Sequence, residues 1–269
     1  MRLTYGVVTA TLNARASLAR SLSSTLTQSR APDEIVVIDG GSSDGSVELA
    51  EEILADARSA RPPAVHLSAY RTMRQQGTGI ANAWNEAIDA LASDVVFLVN
   101  ADDALEPGAA EAAMDAFERN PEVDIVHGNA RFVAADGRAL GIVRPGVFAR
   151  LGVRCRTMHC ATMVRRRVYD RLGAFDGSYR TALDFDFIER CHRAGVRFLH
   201  LDTTLATFSL GGVSNTRLAL ADREMLEIGL RHSRTKILPL AAFLARRALL
   251  RPMRLAGFDL WSRAEANPS

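Results

Sequence analysis

A chain of 269 residues, 48% of them hydrophobic and 24% charged, holds ample material for one large α/β core, alone or with a tail. The net charge of +2 says little about partners, and no nucleic-acid partner is expected. Three cysteines without Cys-x-x-Cys spacing, Cys155, Cys160 and Cys191, argue against a disulfide scaffold or a structural zinc site and fit a reducing compartment.

The N-terminus runs straight into a strand pattern, Leu3–Thr9, with no signal-peptide pattern before it. Thr11-Leu12-Asn13 reads as a turn. Ser17–Gln28 has helical spacing through Leu18, Leu22 and Leu26, and Ala31-Pro32-Asp33 ends it. Glu34–Asp39, EIVVID, is a second buried strand that runs into GGSSDGS, and Ser46–Ala57 is the helix after it. Repeated strand–loop–helix units predict parallel strands joined by right-handed crossovers. Arg58–Pro63 reads as a loop, Val65–Leu67 as a short third strand, and Arg71–Thr78 as a polar, glycine-bearing stretch. Gly79–Leu91 is helical, with Ile80, Trp84, Ile88 and Leu91 on one face.

The stretch Val95–Asp103, VVFLVNADD, is the centre of the pattern. Its uncharged run of valines with Phe97 and Leu98 reads as a strand buried on both faces of a parallel sheet. Asp102 and Asp103 follow, at the strand end where open α/β sheets bind ligands. Two adjacent carboxylates can hold a hard divalent cation, which commonly bridges phosphate oxygens. The plain alternative is a polar turn before the next helix. Pro107–Arg119 is that helix, with proline in its first turn. Asp124–Asn129 is a strand, and Ala135-Asp136-Gly137-Arg138 a hairpin turn. The βα repeat lapses here, so a functional boundary is placed near Gly128, without two independent folding units.

The loop GGSSDGS is neither the G-x-G-x-x-G fingerprint nor a Walker A loop, which disfavours a Rossmann dehydrogenase. Its glycines let backbone approach a flat or charged ligand. Asp39 reads as an acceptor for a base N–H or a ribose hydroxyl. Asp44 reads as a cap for the following helix.

Thr11-x-Asn13, VVIDGGSSDGS, GIANAWNEAI and NADD, in this order and with the later motifs, resemble the family 2 glycosyltransferases of the GT-A fold. The likeness runs from about Leu3 to Thr216. It implies a Rossmann-like, mostly parallel central sheet flanked by helices, with a nucleotide-diphosphate sugar bound as donor in the first half. By position it puts Thr11, Asn13 and Asp39 around the nucleoside, and Asn85 in the same donor site. It matches Asp102 and Asp103 to the DxD-type metal motif, with Asp103 the direct ligand. Mg²⁺ or Mn²⁺ there would bind both phosphates and stabilise the leaving diphosphate.

The second half carries further matches. Arg156–Thr162 resembles a segment of bacterial envelope enzymes in which a His-Gln pair precedes a strand; His159 is kept and Cys160 replaces the Gln. For His159, acceptor contact and core packing both stay open, while His127, His192 and His200 read as structural or surface residues. Gly173–Asp176, Tyr179 and Ala182–Asp186 match the acceptor-site motif, which implies Asp184 as catalytic base. A carboxylate in reach can take the acceptor hydroxyl's proton. A single displacement inverts the anomeric centre and needs no protein nucleophile. Asp186 reads as an N-terminal helix charge. Phe208–Ser214 matches a Gly-Gly-x-Ser loop, putting Gly212 and Ser214 over the diphosphate. One departure stands out: Gly77 occupies a position usually Asp, and Asn82 one often acidic, which leaves donor base and sugar open. Arg71 or Arg74 could supply a charge to the diphosphate instead.

Arg231–Arg254 holds seven basic residues and no acidic one, with Leu240, Phe243, Leu244, Leu249 and Leu250 interleaved. This reads as a membrane-surface tail, with packing on the domain or on a homodimer partner as the alternative. The apolar run Ile237–Ala245 is too short to span a bilayer. The expected layout is one GT-A domain over 1–229, with donor half 1–128 and acceptor half 129–229, and a basic helical tail over 230–269. The expected activity is that of an inverting, metal-dependent glycosyltransferase, hexosyltransferase in type. It works from the cytoplasm, peripheral on the inner face of the membrane, on a glycan or lipid-linked acceptor. The alternatives are a silent nucleotide-sugar-binding module at the membrane, or a nucleotidyltransferase.

Overall fold

The computed structural model describes residues 2–60, 70–134, 136–145, 157–210 and 218–232, and beyond them residues 236, 237, 239–241, 243 and 244. β1 (Tyr5–Thr11) is buried at every residue, as a strand covered on both faces must be. α1 (Arg15–Leu26) returns over the sheet with Leu18 and Leu22 fully buried, and β2 (Glu34–Asp39) pairs parallel to β1, Thr11 opposite Asp39. α2 (Ser46–Ala60) leads to β3 (Tyr70–Arg74), parallel to β2. α3 (Ile80–Ala90) leads to β4 (Val95–Leu98), parallel to β1 on its other side.

The second half is mixed. It comprises β5 (Ala104–Leu105), α4 (Ala109–Arg119), β6 (Ile125–Ala134), β7 (Ala139–Val143), β8 (Thr162–Arg165), α5 (Arg166–Leu172), α6 (Leu183–Arg193), β9 (Phe198–Leu210) and α7 (Leu218–His232). The strand order is β3-β2-β1-β4-β8-β6-β9-β5, with β7 hairpinned on β6. β8 runs antiparallel between β4 and β6, and β9 is parallel to β6. Because β8 is antiparallel to β4, the start of one meets the end of the other. That juxtaposition brings Asn100–Asp103 beside the short 3-10 turn His159–Ala161.

Helices cover both faces. Val8, Ile38 and Val96 pack with residues of α3, α5 and α6, among them Ile88, Val168 and Phe187. Val7, Val95 and Phe97 pack against Met114 and Phe117 of α4. Ile35 and Val37 lie with Leu18, Leu22 and Leu54 of α1 and α2.

Two expectations change. The polar, glycine-bearing stretch from Arg71 begins as β3; only Tyr70 is buried there, so no apolar alternation marks it. The strand expected at Val65–Leu67 lies outside the described residues. Pro107 stands before α4, whose N-cap is Gly108 at φ 75°. Gly128, near which the functional boundary is placed, lies inside a continuous β6, where a Cβ would come within 2.6 Å of the Thr203 carbonyl oxygen. Among the described residues no helix is long and apolar enough to cross a membrane.

Candidate active site

The residues expected around the donor gather at the C-terminal edge of β1 and β2. Asp39 is buried and its carboxylate accepts the N–H groups of Gly41 (2.9 Å) and Ser42 (3.0 Å), so it shapes the glycine loop from inside. Asn13 braces the same loop. It sits at φ 50°, its Oδ1 accepts the Ser43 N–H at 2.9 Å, and its own N–H donates to Ser42 Oγ at 2.8 Å. Asn tolerates this left-handed backbone better than most residues. Thr11 is opposite Asp39, and its buried hydroxyl has no hydrogen-bond partner among the described residues. Asp44 joins two helix starts: Oδ1 accepts the Ser46 N–H at 3.0 Å and Oδ2 the Arg15 N–H at 2.9 Å.

Asn85 is committed elsewhere. Its amide donates to the Phe175 carbonyl at 2.8 Å and accepts the Phe175 N–H at 2.9 Å, which ties α3 to the segment after α5. The two residues that depart from the family pattern leave no room between them for a side chain at 77: a Cβ on Gly77 would lie 2.9 Å from Asn82 Nδ2. The turn's N–H groups at Gln76 and Gly77 both donate to Glu86, at 2.8 Å each. Arg71 reaches the Ala90 carbonyl at the end of α3, which commits its guanidinium to the scaffold.

The centre of the site is a line of carboxylate, imidazole and carboxylate. Asp103 is wholly buried, with Oδ2 3.8 Å from His159 Nε2. On the other side of the ring, Nδ1 is 3.6 Å from Asp184 Oδ2. Trp84 donates its indole N–H to Asn100 Oδ1 at 3.1 Å, which turns the Asn100 amide nitrogen toward His159 Nε2 at 3.3 Å. Trp84 and Phe208 flank the ring, at centroid distances of 5.4 and 5.9 Å. Burial alone would lower the imidazole's pKa; Asp103 and Asp184 outweigh it and hold the group up to about 10.

Asp102 is half-buried beside Asp103. Burial, then the neighbouring negative charge, push its carboxyl up to about 6. Asp103 Oδ1 accepts the Ser209 N–H at 3.3 Å, while its buried Oδ2 makes no hydrogen bond among the described residues. Two crowded carboxylates with an orphaned buried oxygen suit a divalent cation, which would relieve both costs. Arg20 of α1 secures this turn, donating to the Asp102 carbonyl at 2.6 Å and to Ser209 Oγ at 2.9 Å. Nothing in the sequence flagged Arg20, since an exposed arginine on a helix has no local signature.

Asp184 and Asp186 separate cleanly. Asp184 is partly exposed in the first turn of α6. Its Oδ1 accepts the Phe185 N–H at 2.8 Å, leaving Oδ2 toward His159. An apolar recess lined by Leu98, Phe175, Phe185, Phe187 and Ile188 adjoins Asp184 and His159. Asp186 is buried and pairs with Arg190 at 2.8 Å and His232 at 3.1 Å. It is an internal ion hub, a larger part than a helix-end charge. Cys160 and Cys191 are free and buried, and burial pushes both thiols up, that of Cys191 to about 12. Arg156, Gly212 and Ser214 lie outside the described residues.

A mixed sheet between helix layers, with paired aspartates after a central strand, is the GT-A glycosyltransferase architecture. Residues 6–173 match the model for glycosyl transferase family 2, and the chain belongs to that family. It is 28% identical over 229 residues to a PGL/p-HBAD biosynthesis glycosyltransferase of Mycobacterium tuberculosis, covering 83% of this chain and 82% of that one. Among solved structures it is similar to Staphylococcus aureus TarS 1-349 in complex with UDP-GlcNAc, with a TM-score of 0.67 and 17% identity over 96% of this chain and 77% of that one. The mannosyltransferase PcManGT of Pyrobaculum calidifontis, in complex with GDP-Man and Mn²⁺, gives 0.66 and 17% over 99% and 79%.

Proposed function

We propose that the chain is an inverting, metal-dependent glycosyltransferase that moves a sugar from a nucleotide-diphosphate donor to a hydroxyl acceptor. The observation that carries this is the Asp103–His159–Asp184 line, which sets a candidate cation site and a candidate base on opposite sides of one ring. Asp103 and Asp102 would hold Mg²⁺ or Mn²⁺, which supplies Lewis-acid stabilisation to the leaving diphosphate. Thr11, Asn13 and Asp39 frame the nucleoside, the first with a buried hydroxyl that has no hydrogen-bond partner among the described residues. By the family resemblance, Gly212 and Ser214 would contact the diphosphate. Asp184 Oδ2 takes the acceptor proton as the acceptor oxygen bonds to the anomeric carbon, and the diphosphate leaves with the electron pair of the broken C–O bond. One displacement of this kind inverts the centre. Asn85 serves by joining the two halves at Phe175, and not by touching the donor.

The relative named for PGL/p-HBAD biosynthesis supports a place in envelope glycan or glycolipid assembly. The acceptor is then a glycan or a lipid-linked hydroxyl, and the chain works peripherally at the inner membrane face. The test is calorimetric titration of UDP- and GDP-sugars with Mn²⁺ and with EDTA, on the wild type and Asp103→Ala. The expected result is donor binding that needs the metal and is abolished in Asp103→Ala, which stays folded. Unchanged donor affinity in that variant would remove Asp103 from the site.

A further inference from the structure

α6 begins without a cap of its own. Its N-cap residue is Ala182, whose side chain makes no capping hydrogen bond, and Asp184 stands in its first turn. The loop ahead is gathered instead by one carboxylate from α7. Glu224, 6% exposed, accepts the N–H groups of Arg180 (2.9 Å), Thr181 (2.8 Å) and Ala182 (2.9 Å), and the Thr181 hydroxyl at 2.6 Å. Consecutive backbone donors converging on one anion at a helix start is how proteins hold phosphates. Here the anion is the chain's own. Burial would raise the Glu224 carboxyl; these hydrogen bonds outweigh it and hold it below its ordinary value.

The rest of α7 grips the same segment. Arg231 pairs with Asp176 at 3.4 Å and lies over the Tyr179 ring, and His232 meets Asp186 at 3.1 Å. Residues 176–186 are thus held at both ends and in the middle from one helix. Asp184 is two residues past Ala182, and its Oδ1 is already fixed on the Phe185 N–H. Its direction toward His159 therefore follows where the start of α6 is placed.

We propose that Glu224 is a positioning residue for acceptor activation: from α7, outside the recess beside His159, it sets the start of α6 and so the reach of Asp184. This rests on reading Asp184 as the base. α7 also lies beyond residue 173, where the family match ends, so the brace is not part of the matched region.

Glu224→Gln tests it, because it keeps the shape but turns an amide NH2 toward N–H donors. At saturating donor, kcat for transfer should fall by roughly 10- to 100-fold, the scale of a misplacement of about 1 Å. Donor Kd and donor KM should not change. In an Asp184→Asn background, Glu224→Gln should cost nothing further, since residues acting as one unit are not additive. Thr181→Val removes only the hydroxyl bond and gives a milder kcat loss of the same kind, which decides the matter if Glu224→Gln folds poorly. Unchanged kcat, a parallel loss of donor affinity, or a loss that multiplies with Asp184→Asn each overturns the proposal. If Asp184→Asn alone transfers at the wild-type rate, the base reading fails and this inference with it. If Asp184→Asn is dead and Glu224→Gln is normal, only the positioning role falls.

Discussion

At the scale of single residues, two acidic side chains two positions apart do different work, and solvent contact separates them. Asp184 faces His159 and the recess; Asp186 is sealed between Arg190 and His232. Asp184→Asn should leave donor affinity intact and lower transfer by about 10²–10⁴-fold, the usual share of a general base. Asp186→Ala should instead lower stability by roughly 3–5 kcal/mol, the cost of orphaning a buried ion pair, seen as a lower urea midpoint. If Asp186→Ala unfolds normally and loses only transfer, the two roles are exchanged. A second expectation follows from Asp102. With its carboxyl near 6, a proton competes with the cation below that pH, so Mn²⁺ affinity should weaken as pH drops from 7 to 5. Flat affinity by calorimetry across that range would exclude Asp102 as a ligand. The motifs singled out Asp102, Asp103 and Asp184 in the sequence, and the structure sets Asp103 and Asp184 on either side of His159. The sequence could not show that Asn85 spends its amide on Phe175, or that Arg20 clasps Asp102 across 82 positions. Those contacts depend on tertiary placement and leave no local pattern.

At the scale of elements, α7 explains why the second half was harder to read. The first half announced itself through buried runs such as EIVVID and VVFLV, each followed by a helix period, and there β2 was read to the residue. β3 was missed because an edge strand carries polar residues. β9 was missed because much of it is half-exposed and it alternates poorly, and α7 because its value lies in polar contacts rather than in a clean apolar stripe. Glu224 is the main such contact. Its folded pKa is depressed, so its stabilisation is present above the unfolded value of about 4.3 and is lost as pH falls through the folded value. Glu224→Gln should therefore be less stable than wild type at pH 7 by about 1 kcal/mol, the size of a lost helix cap. That gap should close in acid as the wild-type carboxyl protonates. A gap that stays constant down to pH 3 in denaturant titrations would mean the ionised carboxylate is not what holds the loop.

At the scale of the whole molecule, the question is where the catalytic body ends and the basic tail begins. Composition placed the division after Gly229, but Arg231 and His232 belong to the body. They bind Asp176 and Asp186 and so anchor the segment that carries Asp184. A chain ending at Gly229 should lose that anchoring and become less stable in its acceptor half. A chain ending at His232 should stay folded. Beyond that point Ile237, Leu240 and Leu244 are 78%, 48% and 57% exposed, in a stretch of sequence that also holds Arg234, Lys236, Arg246, Arg247, Arg251 and Arg254. Apolar groups open to solvent beside like-signed charge suit an anionic lipid surface, where each Lys or Arg contributes about 1 kcal/mol. Truncation after His232 should abolish sedimentation with vesicles rich in anionic lipid and leave donor binding unchanged. Raising salt should weaken the full chain's vesicle binding, since attraction is screened within about 10 Å at 0.1 M ionic strength. If truncation converts a dimer to a monomer and vesicle binding was absent from the start, those exposed side chains are a subunit contact, and the acceptor reaches Asp184 without a membrane-docked tail.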